Sequence, residues 1–252
     1  MPHRLPRPLV YYITDRQQFS GEDSARRRQL LAKISEAAAG GIDFIQLREK
    51  DLSTRDLEKL SREALEAIAH EAGSRPIPPR LLINSRSDVA LAVGADGVHL
   101  RSPDISVRDV RALYESFAID PNRLNPTFSG ETQASQSALA ASVVARSTPD
   151  CIVAVSCHSE DEVQRAGEEG ADFVVFGPVF EAKFGRSASG VDELARACRH
   201  SVPVLALGGV ALSNIQSCLE AGAWGIAGIR LFQENQILAI MRRVRGQPDP
   251  IL

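Results

Sequence analysis

Cysteine is scarce in this chain: four in 252 residues, at Cys151, Cys157, Cys198 and Cys218, with no C-x-x-C pair among them. That scatter argues against a zinc site and offers no disulfide framework, so the thiols read as small core residues. No uncharged apolar run approaches the ~20 residues needed to cross a bilayer. The N-terminal stretch Met1-Pro2-His3-Arg4-Leu5-Pro6-Arg7 also lacks the apolar segment of a signal peptide. A cytoplasmic protein with no membrane partner is the expectation. Neither sign of charge is in excess, since 29 basic and 32 acidic residues leave −3. This removes the general electrostatic case for nucleic acid as a partner. Small molecules remain as the ligand class, and a homo-oligomer is compatible with the composition.

What the chain does have is 44% apolar and 24% charged residues, enough to build a globular core. Eight short apolar runs predict strands at Leu9–Thr14, Phe44–Leu47, Leu81–Asn84, Gly97–Leu100, Cys151–Ser156, Phe173–Phe176, Val202–Leu207 and Gly225–Ile229. Each is followed by a segment of helical periodicity, near residues 26–39, 54–70, 86–93, 107–117, 160–169, 191–198, 212–221 and 236–244. Glycines close several of these helices: Gly40-Gly41, Gly94, Gly170 and Gly222. With the residues that follow, Asp43, Asp96 and Asp172 in three cases and Ala223-Trp224-Gly225 in the fourth, they make a helix-to-strand signature repeated four times. Eight strand–helix units in this length predict a single-domain α/β fold over residues 1–252, a (β/α)8 TIM barrel, with a doubly wound open sheet as the alternative. Residues 118–150 do not fit a unit and read as an insertion between the fourth helix and the fifth strand, with 135–145 suited to a short helix.

Reactive groups of a parallel barrel gather at the C-terminal ends of its strands. After strand two, Gln46, Arg48 and Lys50 share one face of the chain, and two cations beside an amide suit a phosphate or pyrophosphate. A solvated charged strand end is the plainer alternative. Strand three ends at Asn84, strand four at His99 with Asp104 beyond, and strand five at Ser156 with His158 close by. Gly208-Gly209 after strand seven and Gly228-Ile229-Arg230 after strand eight could present free amides to a second phosphate, although a tight turn uses such glycines equally well.

Together, Tyr12-Ile13-Thr14-Asp15, Gln46-Leu47-Arg48-Glu49-Lys50, Ile83-Asn84, Gly94-Ala95-Asp96-Gly97-Val98-His99-Leu100, Gly177-Pro178-Val179-Phe180 and Leu207-Gly208-Gly209-Val210 resemble the thiamine phosphate synthase family. The likeness runs from about residue 9 to 235, apart from the insertion. It implies a transferase that joins an aminopyrimidine diphosphate to a carboxylated thiazole phosphate, releasing pyrophosphate and carbon dioxide. By this resemblance Gln46, Leu47, Arg48, Glu49, Lys50, Asn84 and Ser156 hold the pyrimidine diphosphate, with Arg48 and Lys50 catalytic. Asp104 becomes a ligand of Mg²⁺, and Gly209, Ile229 and Arg230 lie at the thiazole phosphate.

Two departures stand out. Ser85 occupies the place of a second metal-binding aspartate, and Glu181-Ala182-Lys183-Phe184-Gly185-Arg186 replaces a Thr-x-Thr-Lys loop, leaving Lys183 or Arg186 to supply its cation. Both departures lean toward the related thiazole tautomerase, in which a histidine placed like His158 moves a proton on the thiazole. A non-catalytic sensor of a phosphorylated ligand is the reading from outside enzymology.

Overall fold

A computed structural model describes residues 8–72, 77–118, 151–182, 185 and 187–246. The residues 119–150 of the expected insertion, including the expected helix at 135–145, lie outside these described residues, as do Lys183 and Arg186.

Eight parallel strands close into a barrel in simple sequence order, β1 bonded to both β2 and β8. They are β1 (Leu9–Ile13), β2 (Phe44–Leu47), β3 (Arg80–Asn84), β4 (Gly97–Leu100), β5 (Ile152–Cys157), β6 (Phe173–Phe176), β7 (Val204–Ala206) and β8 (Gly225–Gly228). Between and after them lie α1 (Asp23–Gly40), α2 (Thr54–Ala72), α3 (Ser87–Val93), α4 (Val107–Ala118), α5 (Glu160–Glu168), α6 (Gly190–Ala197), α7 (Ile215–Glu220), α8 (Arg230–Gln233) and α9 (Ile237–Val244). The closed barrel, and not the open sheet, is the fold. Strand seven is shorter than its apolar run predicts. Pro203 has no N–H to give and contributes only its carbonyl, which accepts from Val174 N at 2.8 Å.

Alternation along each strand divides the apolar residues into two layers. Val10, Tyr12, Ile45, Leu47, Leu81 and Ile83 point outward and pack under the helices. Leu9, Tyr11, Phe44, Leu82, Ile152, Phe173 and Leu205 point inward and fill the barrel. Tyr11 meets Phe173 edge-on with ring centroids 5.4 Å apart, and Phe44 lies 4.9 Å from Phe173. These rings close the interior, so any cavity must lie above them, toward the strands' C-terminal ends.

The glycine–aspartate signature has a definite job. Gly41, Gly94, Gly170 and Gly222 all take positive φ, the left-handed conformation that ends each helix. The aspartates that follow then reach sideways to the preceding strand. Asp43 accepts from Val10 N at 2.8 Å, Asp96 from Leu81 N at 2.8 Å and Asp172 from Val153 N at 2.7 Å. Asp43→Ala should cost about 1 kcal/mol by stranding the Val10 amide. Urea unfolding checks this, and Asp43→Asn, which keeps an acceptor, should recover most of the loss.

Three of the four cysteines, Cys151, Cys157 and Cys218, are buried. Burial pushes the Cys157 thiol up to about 12, which leaves it unreactive. Among the described residues, no helix is long and apolar enough to cross a membrane.

Candidate active site

Above the aromatic floor, a cavity of about 370 Å³ opens at the C-terminal ends of the strands. Its wall brings together Gln46, Arg48, Lys50, Asn84, Ser156, His158, Gly209, Ile229 and Arg230, all expected there from the sequence. The pleat explains why, because Gln46 and Arg48 continue the inward parity of Phe44, as Ser156 and His158 continue that of Ala154.

The same parity turns the side chains of two expected ligands away from the cavity. Leu47 points outward and is fully buried beneath the helices. Glu49 also turns away from the cavity, accepting from Thr14 Oγ1 at 2.6 Å, Arg16 N at 3.0 Å and Arg16 Nη1 at 3.2 Å. Burial pushes its carboxyl up, against the opposing effect of these bonds. A buried carboxylate needs such partners, and with them the Glu49 side chain braces the strand end. Thr14 Oγ1 in turn accepts from the Arg48 amide at 3.0 Å, and the Arg16 fork grips Asp51 at 2.6 and 2.7 Å. The network fixes the backbone that carries Arg48 and Lys50.

Arg48 is placed differently from every other guanidinium near the site. Its side chain has no hydrogen bond or ion pair among the described residues. Burial lowers its pKa, Asp15 and Glu49 oppose that, and the charge of Arg101 lowers it again. A partly buried cation that repels a second cation is prepared for an anion from outside the chain. Gln46 adds a donor, since its Nε2 is buried against the cavity with no partner.

His99, at the end of β4 and sharing its parity with Arg101, has no role predicted from the sequence. It sits on the floor, 3.1 Å from Tyr11 Oη through Nδ1 and 2.7 Å from Ser156 Oγ through Nε2. Burial, reinforced by Arg48 and opposed by Asp104, lowers its pKa to about 3. The ring is therefore neutral at physiological pH and orients Ser156.

Asp104 does not line the cavity. Its Oδ2 accepts from Ser85 Oγ at 2.6 Å and Arg101 N at 2.7 Å, and its Oδ1 from Arg101 Nη2 at 2.8 Å. Burial works against the carboxylate, but these bonds outweigh it and hold the carboxyl below its usual range.

His158, just after β5, lies in the cavity wall. Its Nδ1 is 2.5 Å from the Gly177 carbonyl, which can only accept, so the Nδ1 proton is fixed and Nε2 is left as an acceptor in the neutral ring.

On the far rim, Gly208 and Gly209 take φ of 94° and 70°. They also pass so near the loop after β6 that a Cβ on Gly209 would stand 2.9 Å from Glu181 Cβ. Glycine is demanded here by packing as well as by any ligand. The amides of Gly209 and Val210 have no hydrogen-bond acceptor among the described residues, and Arg230 pairs across the rim with Glu181. The short helix α8, absent from the sequence prediction, begins at Arg230.

Comparison with known proteins agrees with this geometry. The thiamine monophosphate synthase family profile matches residues 10–119 and 133–232. A putative thiamine-phosphate synthase of Geobacter sulfurreducens is 37% identical over 86% of this chain and 83% of its own. A putative thiamine-phosphate synthase 2 of Aquifex aeolicus is 34% identical over 90% of this chain and 98% of its own. The solved thiamine phosphate pyrophosphorylase from Pyrococcus furiosus superposes with a TM-score of 0.68 at 22% identity, covering 95% of this chain and 96% of that one, which shows the shared fold. With the match spanning most of the barrel and the inward-facing polar residues alike, the chain belongs to the thiamine monophosphate synthase family.

Proposed function

We propose that the chain is a transferase of thiamine biosynthesis that joins an aminopyrimidine diphosphate to a thiazole phosphate, carboxylated or not, and releases pyrophosphate. The observation that carries this reading is Arg48, a partly buried guanidinium facing the cavity with no anion of the chain bonded to it. The diphosphate is the missing anion. Arg48 and Lys50 take the charge that develops on it as the carbon–oxygen bond to the pyrimidine methylene breaks. Gln46 Nε2 and Asn84 offer hydrogen bonds to the pyrimidine side, and Ser156, held by His99, borders the reacting centre. The amides of Gly209 and Val210 suit the thiazole phosphate, as does Arg230 once an anion competes with Glu181 for it. The thiazole nitrogen then captures the pyrimidinyl cation.

Incubating the purified protein with both substrates and assaying for thiamine phosphate tests the proposal. A ligand-induced rise in melting temperature without product would favour the sensor.

One observation favours a second reading, the thiazole tautomerase: His158 has a fixed tautomer with its acceptor nitrogen in a cavity wall. That is the arrangement of a proton carrier. For a tautomerase, His158→Asn should cost on the order of 10²-fold or more in thiazole proton exchange, followed by NMR in deuterated buffer. Wild-type protein that exchanges no thiazole proton would dispose of this reading.

A further inference from the structure

The family implies Mg²⁺ beside the leaving diphosphate, and the residues of this chain do not fit it. Magnesium demands near-octahedral oxygen ligands, usually one or two free carboxylates with phosphate and water. Here Asp104 has hydrogen bonds on both oxygens, and the place of the second metal-binding aspartate holds Ser85, whose hydroxyl donates its proton to Asp104. A metal would have to evict a guanidinium and then face its charge.

That guanidinium is held with some care. Arg101 and Asp104 close a tight turn, with Arg101 N donating to Asp104 Oδ2 at 2.7 Å and Asp104 N to the Arg101 carbonyl at 3.0 Å. From the neighbouring strand end, Ser85 follows β3 with φ at 58°, a left-handed conformation unusual for serine, and accepts from Arg101 Nε at 2.9 Å. Two protein groups therefore orient the fork along one edge. Of its five N–H groups, Nε and one hydrogen on Nη2 are used, and both hydrogens on Nη1 remain. Arg101 lines the same cavity as Arg48 and Lys50, and lies near enough to Arg48 for their charges to oppose.

We propose that Arg101, oriented by Asp104 and Ser85, takes the place of a divalent cation at this site, so that the diphosphate is bound and released without metal. The step is a heterolysis: the carbon–oxygen bond breaks, its electron pair goes to the diphosphate oxygen, and the three cations Arg48, Lys50 and Arg101 meet the negative charge. No oxidant or reductant is needed. A planar fork suits two phosphate oxygens at once, and unlike a bound ion it cannot be removed by a chelator.

The inference rests on the diphosphate reading above, and calorimetric titration with inorganic pyrophosphate separates the two. For the full wild-type chain, the dissociation constant in EDTA should equal that in millimolar Mg²⁺ within threefold, or be smaller. Arg101→Gly should weaken binding in EDTA by tenfold or more. Adding Ser85→Asp to that variant places two carboxylates side by side without the guanidinium, at a left-handed position that aspartate tolerates, and should make binding depend on Mg²⁺. Wild-type binding more than tenfold tighter with Mg²⁺ would overturn the inference and leave the diphosphate reading standing. Unchanged binding by a folded Arg101→Gly would do the same. If pyrophosphate binds in neither buffer, both fall. The wild-type comparison needs no variant to fold.

Discussion

Replacing Arg48 by methionine should lower the catalytic efficiency of thiamine phosphate formation on the order of 10²-fold or more, and should leave the fold as stable as before or more so. The two effects have one origin. Arg48 lies partly buried at the cavity with no hydrogen bond or ion pair to another described residue, and Arg101 repels it. The folded protein therefore bears the desolvation of this charge with little return until the diphosphate arrives. Methionine keeps much of the arginine stem's volume and removes the charge. The Arg48 backbone should hold its place, because the amide still donates to Thr14 Oγ1. Arg48→Lys should recover only part of the rate, since an ammonium restores charge without the planar fork. Initial rates and thermal melts on the same preparations decide the matter. A melting temperature that falls in step with activity would mean that Arg48 braces the structure and that its place in the reaction is misassigned.

How far the sequence revealed this site depends on whether the information is local. Strand positions and inward parity are local, so Gln46, Arg48, Asn84 and Ser156 could be placed by counting from apolar neighbours. The helix exits were legible for the same reason, since Gly94 ends its helix only two residues before Asp96, although the Asp96 bond to Leu81, 15 residues back, shows only in the fold. Leu47 and Glu49 show what happens when a motif is carried over whole. The segment resembles the family along its length, but the pleat sends alternate side chains to opposite faces, and only one face meets the cavity. The Arg101–Ser85–Asp104 cluster was hidden for a different reason. Ser85 and Asp104 are 19 residues apart and meet only because the ends of β3 and β4 are neighbours. A missing aspartate could be seen in the sequence, but the arginine that had taken up the remaining carboxylate could not. The short helix α8 was missed because four residues are too few to show a period.

Acid should destabilise this barrel through His99. The ring is buried against Tyr11 and Ser156, and burial together with the nearby Arg48 holds its folded pKa at about 3, whereas an unfolded histidine titrates near 6.5. Below pH 6.5 the unfolded chain therefore takes up a proton that the folded chain refuses. The stability His99 allows is complete above that pH and declines as the pH falls toward about 3. Between pH 7 and pH 5 the difference amounts to about 2 kcal/mol, from a slope of about 1.4 kcal/mol per pH unit once the unfolded ring is mostly protonated. His99→Asn removes the titration while keeping a polar group beside Ser156. Its absolute stability will differ from wild type, but that offset is the same at both pH values and cancels. Urea unfolding of both proteins at pH 7 and pH 5 should show wild type losing about 2 kcal/mol more than the variant. Parallel losses would mean that the folded protein protonates His99 readily, and the neutral ring that orients Ser156 would have to be abandoned.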